Sequence, residues 1–214
     1  MKLFSNIILV LLLSIPALCG NAGRERIKIM PVEMDVDFKI CADKTLKIEG
    51  GYVDDASDAG GATKYGLSLN FLKKLEDTDK NGFVDGDLNR DGIVDEKDIQ
   101  LLTLDDYFRI MKQYFWDAIP MDRIPDIDVK WKLFDLSVHA SPLQSIKTFQ
   151  RAVGAEPDGI IGSETLARAR EFTKDSLLTA FSYYQLRFYN VSIIHRPKNY
   201  KYMANWTWRA DQKL

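Results

Sequence analysis

The chain is poor in residues on which many enzyme classes depend. Its 214 residues include only two cysteines and two histidines. Cys19 lies in an apolar N-terminal run and Cys41 stands alone beyond it, so loss of that run leaves no pair for an intramolecular disulfide. Neither His139 nor His195 belongs to a His-Glu-x-x-His or paired His/Asp pattern, which argues against zinc hydrolysis. Cys41 with His139 has the residue types of a thiol peptidase pair, but a small buried hydrophobe is the simpler reading of Cys41. There is no surplus of positive charge either: 29 basic residues stand against 31 acidic ones, for a net charge of −2. That balance gives no electrostatic basis for binding nucleic acid. Long alternating strands are missing, and no apolar run reaches the roughly 20 residues of a spanning helix.

What is present is the composition of a globular protein, with 46% hydrophobic and 28% charged residues. The N-terminus differs. Lys2, the apolar run FSNIILVLLLSIPAL and the small residues CGNAG have the order of a secretory signal peptide. Residues 1–22 are therefore set aside as an export signal, with no stable membrane anchor and a monomeric mature chain expected.

The remainder reads as mostly α. In residues 33–49, Phe38, Cys41/Ala42, Thr45 and Ile48/Glu49 recur at three- and four-residue steps, a helix that Gly50-Gly51 terminates. Residues 52–68 are too rich in Gly and Asp for a helix and read as a loop or short hairpin. A short helix over 69–76, an acidic loop over 77–98 and a strong amphipathic helix over 99–117 follow. Ile127, Trp131, Phe134 and Val138 then form a helical apolar stripe, and further helices are expected over 142–153 and 163–189. Between these two, Pro157-Asp158-Gly159 is a turn.

Glu49 carries the first chemical expectation. A carboxyl at the end of a partly apolar helix has its charged form disfavoured, and a raised pKa suits a general acid. Asp58 and Thr63 lie across the following turns and supply a carboxylate and a hydroxyl to hold a water opposite it, the arrangement of glycoside hydrolysis. On residue types alone a surface Glu beside turn-forming Asp residues explains the same stretch. Asp54 and Asp55 compete with Asp58 for the facing position.

The acidic loop carries a second expectation. DLNRDGIVDEKD, residues 87–98, fits a calcium-binding EF-hand loop. Asp87, Asn89 and Asp91 take positions 1, 3 and 5, Gly92 the sharp turn, and Ile93 offers its carbonyl. Asp95 acts through water and Asp98 closes the loop, where the usual residue is Glu. DTDKNGFVDGDL, residues 77–88, repeats the first nine positions and shares Asp87, so one structural calcium site with a partial neighbour is expected. A solvated acidic insertion is the bland alternative.

The run E-G-G-Y-V-x-D-x-x-D-x-G-G-A-T-K-Y-G-L-S over 49–68 resembles the opening of glycoside hydrolase family 108, bacterial N-acetylmuramidases. Tyr114-Phe115-Trp116-Asp117, Phe134-Asp135, FQRAVGAEPDGIIGSETL and the tail NWTWR are similar to further parts of that family. Two departures stand out: Ala59 replaces a usual proline, and His139-Ala140-Ser141 replaces a run closer to Asn-Ser-Gly. The resemblance implies a lysozyme-like helical catalytic domain over 33–125 and a small helical peptidoglycan-binding region over 126–214. It implies cleavage of the β-1,4 bond between N-acetylmuramic acid and N-acetylglucosamine, with Glu49 as acid and Asp58 and Thr63 orienting water. Tyr52, Tyr65 and Trp116 are candidates to line the glycan. Peptidoglycan is the implied partner, and the periplasm or exterior of a bacterium the implied location. A non-catalytic calcium-stabilised binding protein, a lytic transglycosylase and a peptidase acting on the same polymer are the alternatives.

Overall fold

The computed structural model describes residues 35–49 and 62–214, with only the backbone of Glu49. The signal segment, Tyr52, Asp54, Asp55 and Asp58 lie outside the described residues.

Helix α1, Val36–Glu49, is capped by Asp35, whose Oδ1 accepts from the amides of Asp37 (2.9 Å) and Phe38 (3.3 Å). Two short strands, β1 (Thr63–Lys64) and β2 (Leu67–Ser68), pair antiparallel with Thr63 opposite Ser68. Tyr65 (φ +54°) and Gly66 (φ +79°) form their two-residue turn, both left-handed as a tight hairpin of this twist requires. Ser68 then caps α2, Leu69–Leu72, by accepting from the Phe71 amide. The expected helical content is present, and residues 63–68 form a short hairpin of the kind expected over 52–68.

The expected helix over 99–117 is instead two capped helices and a wider turn. α3 (Glu96–Leu101) opens on Asp95, α4 (Leu104–Met111) opens on Thr103, and a π-helical turn, Lys112–Trp116, continues α4. At Thr103 the hydroxyl accepts from the Asp106 amide while the Asp106 carboxylate accepts from the Thr103 amide (2.9 Å). This reciprocal cap competes with helix continuation and wins because it satisfies donors on both sides of the break. The apolar spacing runs on across the break and so conceals it.

α5 (Ile127–His139) is the central helix. Val129, Trp131, Leu133, Phe134 and Leu136 are buried, but so are Lys132, Asp135 and Ser137. A helix buried on nearly every side must satisfy its polar groups internally. Lys132 Nζ donates to the carbonyls of Ala210 (2.7 Å) and Gln212 (3.2 Å), and Ser137 Oγ to that of Phe134 (2.6 Å). Burial pushes the Lys132 ammonium down to about 8, although Asp135 and Asp211 oppose the shift.

α5 packs on α1 and on α6 (Pro142–Ala152), and α6 packs on α8. The expected helix over 163–189 divides into α7 (Ser163–Ala169) and α8 (Lys174–His195), because Thr173 caps α8 by accepting from the Ser176 amide. The C-terminal residues form a 3-10 turn (Pro197–Tyr202) and α9 (Met203–Asp211), which packs on α8. Among the described residues no helix is long and apolar enough to cross a membrane.

Candidate active site

Glu49 is the last residue of α1, one turn beyond Thr45. The buried side of α1 is anchored before that end is reached. Thr45 Oγ1 donates to Asp135 Oδ1 (3.3 Å) and accepts from Trp131 Nε1 (3.3 Å). Asp135 in turn receives both Arg209 Nε (2.7 Å) and Arg209 Nη2 (2.8 Å). A line of buried polar contacts therefore runs from α9 through α5 to α1. Such a line fixes the rotation of α1 about its axis, and with it the position from which Glu49 departs.

The hairpin is tied to the same helix by Tyr107. Its hydroxyl donates to the Ala42 carbonyl on α1 (3.3 Å), and its ring meets the edge of Tyr65 at 6.2 Å between centroids. Lys64 Nζ donates to the Gln100 carbonyl (2.8 Å), joining the hairpin to α3 as well. Thr63, half-buried, opens the hairpin. Of the expected catalytic residues the described chain thus contains the Glu49 backbone and Thr63, on two segments that share the Tyr107 brace. Tyr65 is half-buried at the hairpin turn.

Trp116 is not placed to line a glycan. It is 3% exposed, lies edge-on to Phe38 (5.6 Å) and Phe134 (5.7 Å), and donates its indole N–H to Asp35 (3.2 Å). So little exposed, and with its indole N–H already bonded, the ring is a core residue, contrary to the expectation that it lines the glycan. Cys41 is fully buried, and burial, reinforced by Asp37, pushes its thiol far above the range of a usable nucleophile. His139 is held neutral: burial and then the Arg209 charge lower its pKa to about 4.

The acidic insertion has a repeated backbone. Lys80 (φ +57°) and Gly82 (φ +91°) recur as Arg90 (φ +60°) and Gly92 (φ +88°), at the fourth and sixth places of the two loops. Asp77 and Asp87 likewise each accept from the amides four and five residues on. Asp98 Oδ1 accepts from Leu88 (2.9 Å) and Asn89 (3.2 Å), and its Oδ2 from Asp95 (2.8 Å). The donor set of Asp87, Asn89, Asp91, Asp95, Asp98 and the Ile93 carbonyl is all oxygen, which fits a hard cation and not zinc. Among the described residues no three or more His, Cys, Asp and Glu side chains converge as a metal cluster. The insertion is docked through Asp85, whose Oδ2 accepts from Tyr114 (2.6 Å), Thr78 (2.6 Å) and Gln113 (3.0 Å). Burial and the Asp85 contact push the Tyr114 phenol up to about 12.

Phe134-Asp135 and the closing NWTWR, far apart in the sequence, meet here through the Asp135–Arg209 pair. Thr45 and Tyr107 carried no signal beyond apolar spacing.

Residues 42–140 match the sequence model of a family described as Glycosyl hydrolase 108. The match spans the α1 end, the hairpin, the acidic insertion and all of α5. The chain is also similar to the solved structure of Brucella abortus SagA, at 24% identity and a TM-score of 0.60, over 81% of this chain and 92% of that one. At that identity the likeness shows a shared fold. No curated protein matches the chain.

Proposed function

We propose that the protein is a peptidoglycan hydrolase of the N-acetylmuramidase type. In this reading Glu49 protonates the leaving oxygen of the β-1,4 bond between N-acetylmuramic acid and N-acetylglucosamine. Asp58 and Thr63 orient the attacking water, and Tyr52 and Tyr65 line the glycan. Residues 126–214 supply a peptidoglycan-binding region, and the mature protein works outside the cytoplasm. The observation that carries the reading is the family match over 42–140, which includes both Glu49 and Thr63. The common brace at Tyr107 supports it, since a general acid and a water-orienting group must keep a fixed separation. The burial of Cys41 counts against peptide hydrolysis through that thiol. The test is the clearing of purified cell walls by wild-type protein and by Glu49→Gln. The variant is expected to keep its fold and lose activity; retained clearing removes Glu49 from the role.

We propose further that the loop 87–98 holds a structural calcium ion, with Asp87, Asn89, Asp91, the Ile93 carbonyl, Asp95 and Asp98 as its oxygen set. The repeated left-handed residues in the two loops support this. When bound, the ion neutralises carboxylates that otherwise repel one another.

A further inference from the structure

Helix α8 is apolar on two opposite sides. Leu177, Leu178, Phe181 and Tyr189 are buried on its inner side against the rest of the chain. Tyr183, Arg187, Val191 and Ile194 follow at steps of four, four and three residues, which sets them in one stripe on the other side. Tyr183, Val191 and Ile194 are each at least half exposed, Ile194 at 74%. A helix at a protein surface ordinarily turns polar residues outward, and one that is apolar all round is covered. The charge around this stripe is of one sign. No Asp or Glu occurs between Asp175 and Asp211, in a chain with 31 acidic residues. The same span holds Arg187, Arg196, Lys198, Lys201 and Arg209, and of these Arg209 is spent on Asp135. The other four are exposed and make no ion pair among the described residues. Arg187 belongs to the stripe itself, its guanidinium 5.9 Å from the Tyr183 ring centre. The 3-10 turn Pro197–Tyr202 packs on α8 and adds exposed Tyr200 and Tyr202, with Lys201 Nζ over the Tyr202 ring at 4.8 Å.

We infer that the outer face of α8 and the turn at its end rest reversibly on the surface of an anionic lipid bilayer. The inference does not depend on the hydrolase reading. Tyrosine has an apolar ring and a polar tip, and arginine and lysine carry a charged head on an apolar stem. These residue types gather where hydrocarbon meets water. Val191 and Ile194 supply the aliphatic contact that enters the headgroup layer, and the free cations meet the lipid phosphates. No helix among the described residues is long and apolar enough to cross a membrane, so the contact lies along the surface and does not span it. A second copy of the chain is a poorer occupant. A two-fold contact sets the same patch against itself, which here brings cation against cation with no carboxylate from this span between them.

The test is co-sedimentation of the mature chain with vesicles of phosphatidylcholine, alone or mixed with phosphatidylglycerol. Residues 1–22 are left off because their apolar run would bind lipid by itself. Binding to the mixed vesicles is expected, and it should weaken as salt is raised, because ions screen the headgroup charge. Arg187→Gln with Lys198→Gln, and separately Val191→Ser with Ile194→Ser, should each weaken binding by roughly tenfold or more. All four side chains are exposed, so both variants should keep the wild-type melting temperature, which separates lost contacts from lost fold. Failure to bind, equal binding to neutral vesicles, or binding unchanged in either variant overturns the inference. So does sedimentation of the lipid-free chain as a dimer that Val191→Ser with Ile194→Ser abolishes, which gives the face to a second copy.

Discussion

Arg209 and Asp135 face each other through two parallel hydrogen bonds, at 4% and 1% exposure, and hold the last helix against the central one. Asp135 also accepts from Thr45, so the pair reaches α1. Removing one partner of such a buried pair leaves an unpaired charge in the core and costs roughly 3–5 kcal/mol, while replacing both with apolar residues is close to neutral. Arg209→Met and Asp135→Leu should each lower the urea midpoint sharply, and the double variant should recover most of the loss. Simple addition of the two single losses, read by denaturation, contradicts the assigned coupling.

His139 gives the fold a pH dependence. An unfolded imidazole takes its proton near 6.5, whereas the buried one resists until about 4. Between those values the unfolded state binds more protons, so stability falls as pH falls through the window, by up to roughly 3 kcal/mol. His139→Leu should flatten this part of the pH–stability curve. An unchanged slope in the variant assigns the acid sensitivity to other groups.

Gly86 lies where the acidic insertion crosses α2. A Cβ built there stands 2.3 Å from the Leu72 carbonyl oxygen, a backbone atom that cannot swing aside. Gly86→Ala should cost roughly 1–3 kcal/mol, the range for forced overpacking. It should also disturb the insertion's docking at Asp85, seen as faster amide exchange in residues 77–98. A variant with wild-type melting and exchange shows that the crossing relaxes at no cost.

The proposed calcium ion of the 87–98 loop binds the folded state, where its oxygen ligands are gathered. At about 100 times its dissociation constant it adds roughly 2.7 kcal/mol, worth about 5–10 °C in a chain of this size. Excess chelator should lower the melting temperature by that order, and Asp87→Ala should abolish the response. Identical melting curves with and without chelator overturn the calcium assignment.

The main helices were legible because their apolar residues recur with helical period and their ends carry Gly, Ser or Asp. The breaks at Thr103 and Thr173 were not, because in each case a side-chain cap interrupts a helix while the apolar spacing continues through it. Trp116 misled for a related reason: an aromatic residue in a family-like run fits a sugar platform or a core, and only its contacts with Phe38, Phe134 and Asp35 decide. Asp135 and Arg209 are far apart in the chain, and their pairing depends on how α5 and α9 meet. No local pattern encodes that meeting. Glu49 and Thr63 are singled out by the motif over 49–68, whereas the Tyr107 brace between their segments is visible only in three dimensions.

The proposed role of Glu49 in hydrolysis of the muramyl glycosidic bond predicts the chemistry of the released ends. Mass spectrometry of the fragments released from purified cell walls tests it most directly. The wild-type protein should release muropeptides with reducing N-acetylmuramic acid ends, and Glu49→Gln should release none above the blank. Anhydro-muramyl ends, cleaved peptides on an uncut glycan, or the same fragments from the variant would contradict the account.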